Sequence, residues 1–358
     1  MSLSPPIPYS PDVEVVSENE SEVVKGLIEA FDVILHRTSE DYGHAVRSVH
    51  AKSHAILKGK LIIDSGLPEE LSQGLFAASG RHDVYIRMST NAGDILPDDI
   101  SLPRGLALKV VDVAGERLPG AEGATQDFVM VNGPVFQAPT ADKFLGNLKL
   151  LAKTTDRLEG TKQVVSALLR GISATLGAVG IQSSAVNSLG GAPNVDPLGE
   201  TYYSTTPFRY GKYIAKFSLA PISQHLKDLT GQIIDASDRP DAIRETVRQE
   251  MAAIDGSWEF RVQLCRDLEK QPIEDPTVLW DESDAPFMRV GVIDVASQDS
   301  WNPNLVQAVN EEMRFSVWTG LAAHQPLGNI NRARRATYRH SSEFRASFNR
   351  CPFHEPNK

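Results

Sequence analysis

RSVHAKSHAILKGKL, residues 47–61, places two histidines four residues apart at the start of a run rich in Ile and Leu. In a helix this spacing would put His50 and His54 on one face and would suggest a metal site. The run continues as AILKGKLIID, however, which is typical of a β-strand. The pair also lacks the glutamate of the H-E-x-x-H zinc motif and an obvious third ligand. We therefore expect extended backbone here, with His54 in a structural role and no zinc site.

The remainder of the chain alternates between strand-like and helix-like segments. Strand-like runs, each bounded by turn residues, are HDVYIRMST (82–90), GLALKVVDV (105–113), DFVMVNGPVF (127–136), TTPFRYGKYIAKFSLAPI (205–222) and SWEFRVQLCRDL (257–268). Amphipathic or Leu- and Ala-rich segments predict helices over 21–37, within 143–186, over 302–315 and over 332–350. This order predicts an α+β fold of antiparallel strands flanked by helices. We expect residues 1–18 to form an extended N-terminal arm and residues 19–358 to form a single domain.

Composition narrows the class of protein. The 358 residues are 41% hydrophobic and 23% charged, which is ordinary for a globular domain and excludes disorder of the whole chain. A net charge of −10 gives no reason to expect nucleic acid as a partner. Two cysteines are too few for a disulfide framework. No stretch is typical of a signal peptide or a membrane span, so we expect a cytoplasmic protein without a membrane partner.

The C-terminal segment INRARRATYRHSSEFRASF, residues 330–348, contains a second pattern. Arg334, Tyr338 and Arg345 are separated by four and then seven residues, so a helix would bring them to nearly one stripe. A phenol is ordinarily neutral at pH 7, but a nearby guanidinium or a ferric ion favours the phenolate, which is the haem iron ligand of catalases. The alternative is a solvated helix face on which Tyr338 is a rim residue.

These stretches together resemble the haem catalase superfamily. Arg47-Ser-Val49-His50-Ala51-Lys52 is similar to that family's R-x-V-H-A-K motif, VYIRMST (84–90) to its V-R-F-S-T strand, and LPRGLALKV (102–110) to its P-R-G-F-A-x-K strand. The R-x-x-x-Y pattern with Arg seven residues later resembles its proximal haem motif. The matches keep their order from about residue 40 to residue 346. They resemble a minimal, core-only member, a catalase-related peroxidase, and imply an eight-stranded antiparallel barrel with flanking helices and a C-terminal helix that carries the haem-ligand tyrosine.

The resemblance also implies roles for single residues around haem b. Tyr338 would be the axial ligand of the haem iron, and Arg334 would donate hydrogen bonds to the phenolate. His50 would be the distal acid and base, Ser89 would orient its imidazole, and Val49 would narrow the channel. The cofactor's propionates would pair with three arginines, which are Arg47, Arg87 and Arg345.

One departure concerns the distal amide. The family usually has an Asn in a G-N-N-T-P stretch, where this chain has GATQDFVMVNGP. A gap-free match places Ala124 or Thr125 at that position, and Thr125 could supply a hydroxyl as a second catalytic group. The departure favours peroxidase activity, by way of a ferryl intermediate, over fast catalase activity.

Two alternative functions stay open. One is an allene oxide synthase-like isomerase of fatty-acid hydroperoxides, and the other is a non-enzymatic haem-binding or sensor protein. The expected partners are hydrogen peroxide or an organic hydroperoxide and an unidentified organic electron donor. A homodimer is one assembly that the sequence leaves open.

Overall fold

A closed β-barrel forms the centre of the computed structural model, which describes residues 3–155 and 191–356. Its strands, in chain order, are β1 (Ser53–Ile63), β2 (Gly80–Thr90), β3 (Arg104–Val110), β4 (Gln126–Val131), β5 (Tyr202–Tyr203), β6 (Phe208–Tyr210), β7 (Tyr213–Pro221), β8 (Gly256–Leu264) and β9 (Phe287–Val295).

Every pairing between these strands is antiparallel. Strands β1 to β4 are neighbours in chain order, and so are β7 to β9. Strand β9 returns to pair with β1, and the two-residue β5 pairs with both β4 and β7. Eight strands thereby close into a ring, and β6 is an additional strand beside β7. The predicted eight-stranded antiparallel barrel is confirmed.

Aromatic side chains fill the inside of the barrel. Phe128 on β4 meets Phe217 on β7 and Phe260 on β8, with ring centroids 4.9 Å and 4.8 Å away. Strand β8 shows why the sequence folds this way, since in GSWEFRVQL the buried Trp258, Phe260 and Val262 alternate with half-buried polar residues. A period of two places one set of side chains inside the barrel and the other outside. Outward-facing residues of the strands are therefore available for sites on the barrel wall.

Helices cover one side of the barrel. They are α1 (Glu20–Tyr42), α2 (Ala141–Thr155), α3 (Gln224–Asp228), α4 (Ala242–Ala253), α5 (Pro303–Val306) and α6 (Asn329–Asn349). Three of them, α1, α2 and α6, share an apolar cluster formed by Val23, Leu27, Ala30, Phe31, Ala141, Leu145, Leu148, Ile330 and Ala333. None of the helices in the described ranges is long and apolar enough to cross a membrane.

Most helix predictions agree with the structure in position. Helix α1 begins one residue before the predicted segment and continues to Tyr42, where Gly43 adopts a left-handed conformation and ends it. The predicted helical region 143–186 is represented by α2, and residues 156–190 lie outside the described part of the chain. Over 302–315 the helix is short, because α5 passes into a π-helical turn at Gln307–Glu311. That turn matters for the site described below.

The N-terminal segment has no α-helix before Glu20 and lies along the barrel. Its Ile7 and Tyr9 amides donate to the carbonyl oxygens of Cys265 and Lys212, both at 2.8 Å. A short 3-10 turn at Pro11–Val13 follows. These contacts fasten residues 3–19 to the end of the barrel formed by β7 and β8.

Candidate active site

A cavity lies between the outer face of β2 to β4 and helix α6. The space between its lining atoms, counted out to the mouth, is about 640 Å³. Seven of the residues that the sequence assigned to a haem site line it, namely Arg47, Val49, His50, Arg87, Ser89, Tyr338 and Arg345. The others that line it are Ser48, Gly105, Leu106, Ala107, Val129, Met130, Arg314, Phe315, Ser341 and Ser342. Side chains that are nearly 300 residues apart in the chain therefore meet in one place.

His50 is held in an unusual backbone conformation just before β1. Its φ of 54° is in the left-handed region, which residues other than glycine adopt uncommonly, although histidine is one of the residue types enriched there. Two hydrogen bonds fix this conformation. The His50 amide donates to the Asn91 carbonyl at 3.2 Å, and Arg87 Nη2 donates to the His50 carbonyl at 2.9 Å. Strained backbone of this kind persists only where its surroundings hold it in place. In this conformation the imidazole lies against the cavity wall at Gly105.

The His50 ring lies directly against the backbone of β3. A Cβ built on Gly105 would be 2.3 Å from His50 Cε1 and 2.4 Å from Nδ1, so only glycine leaves room for the ring. His50 Nδ1 is 3.1 Å from Ser89 Oγ, and that hydroxyl lies 3.5 Å from the Gly105 carbonyl oxygen. If the Ser89 hydroxyl donates its hydrogen to the Gly105 carbonyl, its oxygen is left to accept a hydrogen bond from Nδ1 of His50. The ring proton is then on Nδ1, and Nε2 keeps its lone pair. No described residue is hydrogen-bonded to Nε2.

Burial keeps this imidazole neutral. Burial first, and then the positive charges of Arg87, Arg334 and Arg47, lower the pKa of His50 to about 3. The ring is therefore unprotonated at neutral pH, and Nε2 is the ring nitrogen available to a substrate proton.

Three buried arginines converge near the cavity on one residue of the π-helical turn. Arg47 Nη1 donates to the Asn310 carbonyl at 2.8 Å, Arg345 Nη2 donates to the same oxygen at 3.0 Å, and Arg87 Nε donates to Asn310 Oδ1 at 2.9 Å. Burial lowers the pKa of all three, that of Arg87 to about 9, and repulsion by neighbouring arginines lowers the pKa of Arg47 and Arg87 further. Asn310 can order the three guanidinium groups, but it cannot neutralise their charge.

The charge at this cluster is unbalanced. The carboxylate that acts on all three guanidinium groups is Glu311, which is also hydrogen-bonded to His44 at 2.8 Å. Burial opposes ionisation of Glu311, but His44, Arg345 and Arg47 together hold its pKa below the usual range. Three cations against one anion leave an excess of about two positive charges in a buried place, which is costly without a ligand. Two carboxylates on one ligand, as in the propionates of haem, match that excess.

Tyr338 lines the same cavity from helix α6. Within the described ranges, no residue is hydrogen-bonded to its hydroxyl. Ser341, Ser342 and Arg345 line the cavity from the following two turns of the helix. The cavity is thus lined by a phenol and a neutral imidazole, and by arginines whose charge is not balanced by carboxylates. This set of residues fits a haem group whose iron takes an oxygen ligand.

The Arg334 guanidinium is hydrogen-bonded to side chains other than Tyr338. It lies one helical turn earlier, but its Nη1 donates to Asn331 Oδ1 at 3.1 Å and to Thr206 Oγ1 at 3.4 Å. Its guanidinium also lies over the Phe136 ring, 5.6 Å from the centroid. In the structure, Arg334 therefore contributes positive charge near the site rather than a hydrogen bond to the phenol.

The structure places Thr125 outside the cavity. It lies just before β4 in a buried ionic group, where Lys109 Nζ donates to Asp127 Oδ1 and to Glu355 Oε2, both at 2.7 Å. The Thr125 hydroxyl donates to Glu355 Oε2 at 3.0 Å. The hydroxyl is thus fully used in this group, and the gap-free match that assigned Thr125 to the distal wall does not agree with the geometry.

Strand register shows which outward-facing side chain of β4 lines the cavity. Val129 is directly opposite Ala107, and both residues line the cavity. Opposed residues of antiparallel strands share a face, so the Val129 and Ala107 side chains are on the same side of the sheet as Gly105 and His50. The wall that faces the imidazole is therefore apolar.

His54 is buried on β1. Its Nε2 is 2.7 Å from Thr90 Oγ1, and burial followed by the charge of Arg104 lowers its pKa well below the usual value. Within residues 3–155 and 191–356, no group of three or more His, Cys, Asp or Glu side chains could hold a metal ion.

Sequence reasoning missed three contributors to the site. Gly105 belongs to a matched strand, but its contact with His50 could be inferred only from the register of β2 and β3. Val129 required the register of β3 and β4. Asn310 carries no sequence signal, because its function depends on arginines from three distant segments.

Comparison with protein-family models finds no match, and comparison with curated protein sequences also finds none. Among solved structures, a fungal catalase is similar with a TM-score of 0.61 and 18% identity, covering 86% of this chain and 60% of that chain. Catalase A from Saccharomyces cerevisiae is similar with a TM-score of 0.60 and 16% identity, covering 98% of this chain and 69% of that chain. This chain thus spans about two thirds of the length of either relative. At such identities the likeness establishes architecture, and the architecture of this chain is the catalase fold.

Proposed function

We propose that this protein binds haem b in the cavity between β2 to β4 and α6 and uses it to reduce peroxides. The observation that carries the proposal is the group of three buried arginines with too little negative charge, beside a cavity lined by both Tyr338 and His50. Arg47, Arg87 and Arg345 would hold the two propionates. Tyr338 would supply the oxygen ligand to iron. When bound, haem would supply the redox-active iron on which peroxide reacts.

The chain's own contribution to peroxide cleavage is proton transfer. His50 Nε2 takes the proton of the incoming hydroperoxide and returns it to the oxygen that leaves, which makes the departing group water or an alcohol. Ser89 holds the ring in the tautomer that keeps Nε2 unprotonated. Arg87 contributes indirectly, because its hydrogen bond to the His50 carbonyl keeps the backbone in the left-handed conformation.

The distal wall supports organic hydroperoxides as the preferred substrates. Gly105, Ala107 and Val129 line this face and present no hydrogen-bonding side chain. Hydrogen peroxide needs polar partners at both oxygens, whereas an alkyl hydroperoxide gains from apolar contact at one end. An organic electron donor would then complete a peroxidase cycle. The same apolar wall also favours the second candidate, isomerisation of fatty-acid hydroperoxides.

The first experiment is haem titration of the protein followed by visible spectroscopy. We expect stoichiometric binding with a tyrosinate-type ferric spectrum in the wild type and in Tyr85→Phe, a barrel position outside the cavity. The spectrum of Tyr338→Phe should lose the tyrosinate features. A spectrum that is identical in Tyr338→Phe and the wild type would remove Tyr338 as the ligand.

The arginine group makes a second, independent prediction. Arg345→Met should weaken haem affinity by about 10-fold or more, since a buried charge-assisted contact is lost. It should also leave the haem-free protein at least as resistant to heat, because one of three repelling cations is gone. Arg339→Met, an exposed position on the same helix, is the control. Equal haem affinity in Arg345→Met and the control would contradict the propionate assignment.

Turnover separates the two candidate functions. Cumene hydroperoxide with a phenolic donor should yield cumyl alcohol and oxidised donor, and His50→Gln should slow the reaction about 10²-fold with haem retained. A fatty-acid hydroperoxide that is consumed without any donor, with formation of an epoxide, would favour the isomerase. Haem binding with neither reaction would leave a haem-binding protein.

A further inference from the structure

A second cavity lies on the opposite outer wall of the barrel, against β7 and β8. The space between its lining atoms, counted out to the mouth, is about 1110 Å³. Three aromatic residues on its wall are Tyr203, Trp280 and Phe287. The exposed Asp281 and Glu282 are at its rim, so the cavity communicates with solvent. Nothing in the proposed peroxide chemistry uses this place.

The cavity contains one buried amine. Lys216 is on β7, next to the inward-facing Phe217, so its side chain points outward into the cavity and is only 3% exposed. Its Nζ has no hydrogen-bond partner within the described ranges. The Trp280 ring is its neighbour, with the centroid 4.6 Å from Nζ, and the indole Nε1 is also buried without a partner. Two unpartnered polar atoms side by side in a cavity are a costly arrangement that a ligand would relieve.

The wall around the amine is rigid. Gln263, opposite Lys216 on β8, donates from Nε2 to the Trp280 carbonyl at 2.9 Å and to the Ala285 carbonyl at 2.8 Å. These bonds fix the segment that carries the indole. The amine therefore faces a preformed aromatic surface.

A large fraction of the amine, about half, is uncharged near neutral pH. Burial lowers the pKa of Lys216 to about 7, and the opposing influences are Cys265 and Asp275. Burial raises the pKa of the Cys265 thiol to about 12, so that group carries no charge at neutral pH. A neutral lysine amine is a nucleophile, whereas an ordinary exposed lysine at pH 7 is almost wholly protonated.

We propose that Lys216 is the reactive amine of a site for aldehydes with an aromatic or other apolar body. Nζ attacks the carbonyl carbon and the carbonyl oxygen takes up a proton to give a carbinolamine. The C–O bond then breaks, the oxygen leaves as water, and a C=N bond to Nζ remains. The water consists of the carbonyl oxygen and the two hydrogens of the neutral amine, so the step requires no oxidant or reductant.

The surroundings suit this product and this ligand class. The imine becomes a cation when it takes a proton from solvent, and the face of Trp280 stabilises a cation at that distance. Tyr203 and Phe287 provide apolar contact for the body of the ligand. The carboxylates of Asp281 and Glu282 at the rim disfavour an anion, which argues against a carboxylate ligand and for a neutral carbonyl compound.

The test is reductive trapping on the intact wild-type protein. Benzaldehyde and sodium cyanoborohydride in phosphate buffer at pH 7 should place one benzyl group on Lys216, located by peptide mass spectrometry. Exposed Lys212, which is paired with Glu69, is an internal control. We expect labelling of Lys216 to be about 10² times faster than that of Lys212, because its neutral fraction at pH 7 is larger by about that factor or more.

Two further measurements complete the test. The rate at Lys216 should rise to half its maximum near pH 7, and the rate at Lys212 should still be rising at pH 9. Lys216→Met should lose the fast label, and a haem titration of this variant should be unchanged because the two cavities are separate. Labelling of Lys216 that is no faster than that of Lys212, or a fast label that persists in Lys216→Met, would overturn the proposal.

Discussion

At the scale of single residues, the site depends on one close approach between a ring and a strand. His50 can occupy its position only because Gly105 has no side chain there. A histidine in the left-handed region with its ring against a glycine is a strained pair that neighbouring hydrogen bonds hold together. The base is therefore positioned by backbone geometry as much as by Ser89.

Gly105→Ala tests this directly. The new methyl group would overlap the imidazole, so the ring must move, and peroxide reduction should fall by about 10²-fold because a displaced base loses its alignment with the substrate. Haem affinity should change little, since the arginines are untouched. Steady-state kinetics and a haem titration check both expectations.

Gly146→Ala is the matched control. Gly146 is exposed on α2 and a Cβ there meets nothing within 4 Å. This change should raise the free energy of unfolding by about 0.5–1 kcal/mol through helix propensity and leave turnover as it is. Equal turnover in Gly105→Ala and Gly146→Ala would show that the His50 position is not needed.

The predicted site residues that line one cavity belong to contiguous motifs. His50 and Arg47 are in one short segment, and Tyr338 and Arg345 are on one helix, so spacing alone relates the members of each pair. Thr125 was placed wrongly because the side of a strand on which a residue lies depends on pairing partners, and a shift in alignment moves the choice to another residue altogether. The hydrogen-bond partners of Arg334 were not predictable either, since its guanidinium donates to Asn331 on the same helix and to the distant Thr206.

At the scale of elements, α6 carries the candidate iron ligand and must be held firmly against the rest of the molecule. Arg332 near its start is bound by three carboxylates. Its guanidinium is 2.6 Å from Glu14, 2.8 Å from Glu20 and 2.9 Å from Glu274. One cation thus joins the N-terminal segment, α1 and the loop after β8 to the helix.

Arg332→Met should destabilise the protein by about 3 kcal/mol, since it leaves three partly buried carboxylates without their cation. It should also expose residues 3–19 to protease, because Glu14 loses its attachment. Arg339→Met on the same helix should leave the unfolding midpoint unchanged, because that arginine forms an exposed pair. Urea unfolding and limited proteolysis would measure both; equal behaviour of the two variants would contradict the role of Arg332.

Strand β9 shows why some elements were not predicted. Its sequence, FMRVGVIDV, is interrupted by Arg289, Gly291 and Asp294 and lacks a clean apolar pattern. The glycine has a structural reason, since a Cβ there would be 2.7 Å from the Ile62 carbonyl oxygen on β1. Pairing with β1 and β8, which the sequence does not display, makes this segment a strand.

At the scale of the whole molecule, the barrel interior contains a histidine among aromatic rings. His324 Nε2 accepts from the Leu75 amide at 2.9 Å, and the rings of Phe76, Phe128 and Tyr210 surround it. Burial lowers its pKa to about 3. Below about pH 6.5 the unfolded chain therefore takes up a proton at this residue that the folded chain does not, and stability falls as the pH falls towards 3.

His324→Gln should remove this dependence. The variant should be less stable than the wild type at pH 7, but the difference in free energy of unfolding should narrow by about 1.4 kcal/mol for each pH unit below 6. Urea unfolding at pH 7, 6 and 5 measures the difference. His225→Gln, an exposed position on α3, should follow the wild type. A difference that stays constant with pH would contradict this prediction, because it would show that His324 takes up its proton equally in the folded and the unfolded chain.

The whole architecture was easier to predict than its details. The ordered motifs implied an eight-stranded barrel, because each matched a strand or helix in its proper sequence position. The closing strand β5 could not be separated from the strand-like run that follows it, since two residues, Tyr202 and Tyr203, carry no periodic signal of their own.

That short strand has a consequence for how the molecule assembles. Strands β1 to β4 and β7 to β9 are two meanders that form from neighbouring hairpins, whereas β5 and the β1 to β9 pairing join residues far apart in the chain. Closing such long loops is entropically slow, so the ring should be completed last, after each meander has formed. Arg87, Ser89 and Gly105 all belong to the first meander. Refolding should therefore build the wall behind His50 early, and the arrival of α6 should turn that wall into a cavity.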